Sequence, residues 1–172
     1  MGLYLNPGNE IFANIVSNDT YVDKSGLIAY MNNRIGKAKH LIASSRPRRF
    51  GKTLAAQMLV AYYSKGCDSR KIFKNLEIAQ DKSFEEHLNK YDVISLDIQW
   101  MKTSAAPAMK SGNVPDMITY IHREVIRELR DEYPDLVDEK AISLPVVLAD
   151  INVKTKKQFV IIIDEWDCLF RE

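Results

Sequence analysis

Residues 159–163, Phe-Val-Ile-Ile-Ile, run without a polar break into Asp164 and Glu165. β-branched side chains favour extended backbone. A strand that is apolar on both faces must be covered on both, as in a parallel sheet clad with helices. The remaining periodicity supplies the helices. Phe12, Ile15 and Val16 predict one short helix, and Leu27, Ile28, Met31 and Ile35 a second that Gly36 would end. Leu54, Met58, Leu59 and Tyr62 share one face of a third helix, with Gly66 as its stop. A long helix is expected over 116–133, with Ile118, Ile121, Val125 and Leu129 inside, Pro115 in its first turn and Pro134 beyond its end. A shorter one over 143–152 would bury Leu144, Val147, Leu148 and Ile151, with Pro145 tolerated in the first turn. Residues 40–45 read as a short buried strand and 92–100 as another. The resulting order, β-α-β-α-α-β, predicts an α/β fold.

A chain of 172 residues is one domain by default. It contains no run of about 18 apolar residues, so no membrane-spanning helix is expected, and its first residues lack a signal-peptide pattern. Cys67 and Cys168 lie far apart, which suits a reducing cytoplasm better than a disulfide scaffold. His40, His87 and His122 are scattered without metal-ligand spacing and are expected to be structural or surface residues. The net charge is +1, but it is unevenly distributed. Arg34, Lys37, Lys39, Arg46, Arg48, Arg49 and Lys52 fall within 34–53 with no acidic residue among them. A local cationic segment in a neutral chain points to an anion site.

Two motifs carry chemistry. The first is Ser-Ser-Arg-Pro-Arg-Arg-Phe-Gly-Lys-Thr-Leu, residues 44–54. It ends as a phosphate-binding loop ends, although Arg46 stands where G-x-x-x-x-G-K-[ST] has its first glycine. Gly51 would let backbone approach a phosphate. Lys52 would reach the β- and γ-phosphates, and the Thr53 hydroxyl would face Mg2+. The N–H groups from Gly51 to Leu54 would donate from a helix start. Arg46, Arg48 and Arg49 would add direct phosphate contacts. The second motif is the acidic strand end, the pattern called Walker B. Asp164 would hold Mg2+ and Glu165 would orient or deprotonate the attacking water, because metal and nucleophile are separate tasks. A parallel sheet would bring both motifs to the same edge.

Three further features read as structural. Asp97, also at a predicted strand end, is expected to be a solvent-facing loop acid. Trp166 is expected to be packing. In Tyr-Val-Asp-Lys-Ser, residues 21–25, Asp23 or Ser25 is expected to cap the following helix.

The segments at 21–25, 42–54 and 159–167 together closely resemble the AAA-ATPase-like family of bacterial P-loop proteins. Its members typically carry Tyr-Val-Asp-Lys-[Ser/Thr], then Arg-Pro-Arg-Arg-Phe-Gly-Lys-[Ser/Thr], then an apolar strand ending Asp-Glu-[Tyr/Trp]-Asp. In that family Arg46 is the normal form of the loop. The resemblance covers essentially the whole chain, with 1–36 as a helical lead-in and 37–172 as the P-loop core through the Walker B strand. It implies a P-loop NTPase-like parallel sheet with flanking helices. The expected ligands are ATP and Mg2+, with Arg46, Arg48, Arg49, Gly51, Lys52, Thr53 and Leu54 at the nucleotide, Thr53 and Asp164 at the metal, and Glu165 catalytic. In the full-length proteins, hydrolysis would drive a conformational change for an attached nuclease-like domain or a protein partner.

The resemblance also implies a five-stranded sheet in the order 5-1-4-3-2. On that order both neighbours of the 40–45 strand would lie beyond Glu172, together with part of the hydrolytic equipment. The domain is therefore expected to be incomplete at its C-terminus, and weakly stable or self-associating alone. A reading from another class stays open: a non-hydrolysing phosphate or nucleic-acid binding module built on the basic loop. It lacks the aromatic platform that single-strand binders use.

Overall fold

The computed structural model describes residues 2–45, 50–105 and 114–170. In chain order the helices are α1 (Glu10–Val16), α2 (Gly26–Asn32), α3 (Lys52–Tyr63), α4 (Arg70–Phe73) and α5 (Phe84–His87), with a 3-10 turn at Glu77–Gln80. Strand β1 (Asp92–Asp97) follows, then α6 (Ile98–Ala105), α7 (Val114–Glu132) and α8 (Leu144–Thr155). Strand β2 (Phe159–Asp164) and a 3-10 turn at Trp166–Leu169 close the sequence of elements.

β1 and β2 pair in parallel, from Asp92 opposite Phe159 to Asp97 opposite Asp164. Their alternating side chains enter two separate cores. Val93, Val160 and Ile162 join α1, α2, α3 and α4 through Phe12, Ile28, Met58, Tyr62 and Phe73. Ile94 and Leu96 join α6, α7 and α8 through Met101, Met117, Val125, Leu129 and Ile151. Helices thus cover both faces of β1 and one face of β2, an α/β layering.

The outer edge of β1 is closed by the N-terminal residues. Leu5 forms an antiparallel bridge with Ile94. The Asn6 N–H donates to the Val93 carbonyl at 2.7 Å, and the Ser95 N–H to the Tyr4 carbonyl at 2.9 Å. Glu128 of α7 anchors this segment by accepting the N–H groups of Leu3, Tyr4 and Leu5. Asp92, only 2% exposed, fixes the start of β1. Its Oδ1 accepts from Asn6 Nδ2 at 2.8 Å and pairs with Lys65 Nζ at 2.7 Å, while its Oδ2 accepts from the Tyr133 hydroxyl at 2.7 Å. Burial alone would raise the Asp92 carboxyl, but the hydrogen bonds from Lys65, Asn6 and Tyr133 outweigh it and hold the group below the usual carboxylate range.

Several expectations are corrected. Residues 40–45 form no strand, and Leu41 is 88% exposed. Among the described residues nothing pairs with either edge of this segment, and unpaired backbone stays in water. β2 is not buried on both faces. Ile161 and Ile163 are 49% and 52% exposed, because the second helical layer closes over β1 instead. The 92–100 strand stops at Asp97, whose Oδ1 accepts the Trp100 N–H at 2.8 Å and starts α6. On α7 the inner face holds at Ile121, Val125 and Leu129, but in the first turns Met117 is buried and Ile118 is exposed.

Candidate functional site

α3 begins on Gly51, which has φ +78° and ψ +29°. Glycine adopts this left-handed conformation without a Cβ penalty. A left-handed residue followed by helical Lys52 turns successive N–H groups toward one point, an arrangement that binds anions. The first intrahelical bond runs from the Ala55 N–H to the Gly51 carbonyl at 3.0 Å, and among the described residues no side chain caps the helix start. The N–H groups of Lys52, Thr53 and Leu54 are the orphan donors of a first turn. Thr53 is exposed, and Gly51, Lys52 and Leu54 are half-buried.

The direction of α3 decides where this helix start lies. Its far end is tied to the beginning of β1. The Tyr91 N–H donates to the Tyr63 carbonyl at 3.0 Å, the Lys65 N–H to the Tyr91 carbonyl at 3.0 Å, and the Asn89 N–H to the Tyr62 carbonyl at 2.7 Å. From there α3 packs along β1 and β2. Its 12 residues span about 18 Å, and the six residues of β2 about 20 Å. The helix therefore runs antiparallel to the strands and starts at the edge where β2 ends in Asp164. Leu54 in the first turn belongs to the same apolar cluster as Ile162 near the strand end.

At that strand end, Asp164 Oδ1 accepts the Glu165 N–H at 3.0 Å. Asp164 Oδ2 is buried and has no hydrogen-bond partner among the described residues. A buried carboxylate oxygen without a donor is costly. A hard cation such as Mg2+ takes such an oxygen together with hydroxyls and water, so the chemistry of Asp164 suits it. Glu165 has φ +52°, left-handed for a residue with a Cβ. Such backbone costs about 1–2 kcal/mol and tends to be kept where function requires it.

The structure thus brings Gly51, Lys52, Thr53 and Leu54 to the sheet edge that carries Asp164 and Glu165. Arg46, Arg48 and Arg49 lie outside the described residues. Asp97 sits opposite Asp164 in register, exposed as expected, and is committed to capping α6. Trp166 is not packing: it is 60% exposed, with its ring against Phe170.

The 21–25 segment caps a different element from the expected one. No side chain caps α2. Instead Asp23 Oδ2 accepts the Glu77 N–H at 2.7 Å, and Ser25 Oγ accepts the Ile78 N–H at 3.0 Å, so both serve the 3-10 turn of the α3–β1 connection. Burial would raise the Asp23 carboxyl, but the N–H groups of Glu77 and Ser25 outweigh it and hold it below the usual range. Lys24, between these two anchors, places its Nζ 3.4 Å from the position a Cβ would take on Gly51.

A parallel strand pair flanked by helices, with a glycine-led helix start and an acidic strand end at one edge, defines an α/β protein. The chain belongs to the AAA-ATPase-like family, described as "Predicted AAA-ATPase", whose family model matches residues 8–172. That family points to nucleotide as the ligand. No curated protein matches the chain, and no solved structure matches it either. Among the described residues, no helix is long and apolar enough to cross a membrane.

Proposed function

We propose that this chain is a cytoplasmic nucleotide-binding module of the P-loop NTPase type, which holds ATP with Mg2+ at the edge shared by α3 and β2. One observation carries the reading. A helix start with orphan N–H donors, entered through left-handed Gly51, points to the sheet edge where Asp164 keeps a buried oxygen without a donor. The N–H groups of Lys52, Thr53 and Leu54 receive the phosphate chain, and the Lys52 ammonium adds a point charge to its terminal part. The Thr53 hydroxyl and the Asp164 carboxylate hold the metal, and Mg2+ there would neutralise charge on the β- and γ-phosphate oxygens. Glu165, one residue past the metal carboxylate, orients the attacking water and takes its proton during hydrolysis. The partly exposed apolar face of β2, with Ile161 and Ile163, leaves room for a covering partner beside the site.

The test is the Mg2+ dependence of ATP binding, read by a fluorescent ATP analogue. Wild type should bind more tightly with Mg2+ than with EDTA. Asp164→Asn should bind with one affinity in both buffers. An equal Mg2+ effect in Asp164→Asn would remove Asp164 from the metal.

A further inference from the structure

We infer that Lys24 is a second phosphate ligand of this site, carried to it from the lead-in helices; the inference rests on the nucleotide-binding reading above. Lys24 sits between two fixed neighbours. Asp23 holds the Ser25 N–H at 2.8 Å and the Glu77 N–H at 2.7 Å. Ser25 is fully buried and holds the Ile78 N–H. The Lys24 backbone is thereby locked to the 3-10 turn at Glu77–Gln80, while its side chain is exposed and ends 3.4 Å from the Cβ position of Gly51. That glycine is the left-handed residue whose conformation aims the α3 N–H groups.

Charge makes the placement informative. The start of α3 carries the partial positive charge of a helix N-terminus, with Lys52 as its first residue. Among the described residues neither Lys24 nor Lys52 forms an ion pair. Bringing a further ammonium to this point is unfavourable while it is empty of counter-charge, and favourable once an anion lies between the groups. A polyphosphate has several charged oxygens to share between two ammonium groups and the N–H cradle, whereas a monophosphate has few. Lys24 therefore favours nucleoside di- and triphosphates over the monophosphate. It also links occupancy of the site to the 3-10 turn that precedes β1.

The experiment is calorimetric titration of the full chain with Mg-ATP and with AMP, for wild type, Lys24→Ala, Lys24→Arg and Lys52→Ala, beside thermal unfolding of each. Lys24→Ala should weaken Mg-ATP roughly tenfold or more, the scale of one lost charge-assisted contact. It should leave AMP affinity and the melting temperature unchanged, and Lys24→Arg should recover most of the loss. Mg-ATP affinity unchanged in Lys24→Ala but lost in Lys52→Ala overturns the Lys24 role alone. Equal losses for ATP and AMP, or a loss that tracks a lowered melting temperature, assign Lys24 a structural part and overturn it as well. A folded wild type that binds neither nucleotide overturns both this inference and the reading beneath it.

Discussion

Replacing Asp92 with alanine removes the group on which four parts of the fold converge. The carboxylate accepts from Asn6, Lys65 and Tyr133, and it opens β1. Without it, Asn6 Nδ2 and the Tyr133 hydroxyl lose acceptors in a buried place, at about 1–3 kcal/mol each. Lys65 keeps Glu132 at 2.9 Å and some solvent, so its share is smaller. Asp92→Ala should therefore cost about 3–5 kcal/mol, within the range for breaking a buried pair. In a chain of 172 residues this lowers the melting temperature by roughly 10 °C. The pH dependence has a definite sign. The folded Asp92 value lies below its unfolded value, so its stabilisation is complete above about pH 4 and is lost as pH falls through the folded value. The gap in stability between wild type and Asp92→Asn should thus narrow below about pH 4. Asp92 and the site stand at opposite ends of the strands, about 17 Å apart along β1. Well below its melting temperature, Asp92→Ala should bind Mg-ATP as wild type does. Circular-dichroism melts and a cold titration read both. A melting temperature within about 2 °C of wild type would refute the network's role, and a selective loss of Mg-ATP binding would refute the placement of the site.

Gly51→Ala forces a Cβ into backbone at φ +78° and toward Lys24, so it should lose about 1–2 kcal/mol of stability and bind Mg-ATP more weakly; a thermal-shift assay with and without Mg-ATP checks this, and wild-type behaviour would mean the left-handed turn is dispensable. Glu165→Gly relieves the φ +52° strain and should gain about 1 kcal/mol while phosphate release from ATP falls. Stability that drops in Glu165→Gly, in a urea melt, would show that the Glu165 side chain holds the turn.

What could be read in the sequence was what is local. The amphipathic spacing of α7 and α8 and the apolar run of β2 fix those elements through their own residues. The Gly-Lys-Thr and Asp-Glu motifs are short, so they announced themselves. Strand 40–45 failed because a strand needs a partner, and apolar character alone does not supply one. Residues 98–100 looked extended until Asp97 capped the Trp100 N–H, a single hydrogen bond that turns strand into helix. The deeper misses are non-local. Asn6, Lys65, Asp92 and Tyr133 meet only after three elements have packed, and no spacing rule joins them. The same holds for Lys24 over Gly51 and for Asp23 and Ser25 capping residues 77 and 78. On α7 period and phase were legible at Ile121, Val125 and Leu129, and only the first apolar position slipped, from Ile118 to Met117.

Calorimetric titration of the folded chain with Mg-ATP asks whether the turn at Gly51–Thr53 is a nucleotide site. Saturable binding is expected, and Lys52→Ala should abolish it without lowering the melting temperature. Absence of heat and of thermal stabilisation in a folded wild-type sample, or binding that Lys52→Ala leaves intact, would contradict a nucleotide site there.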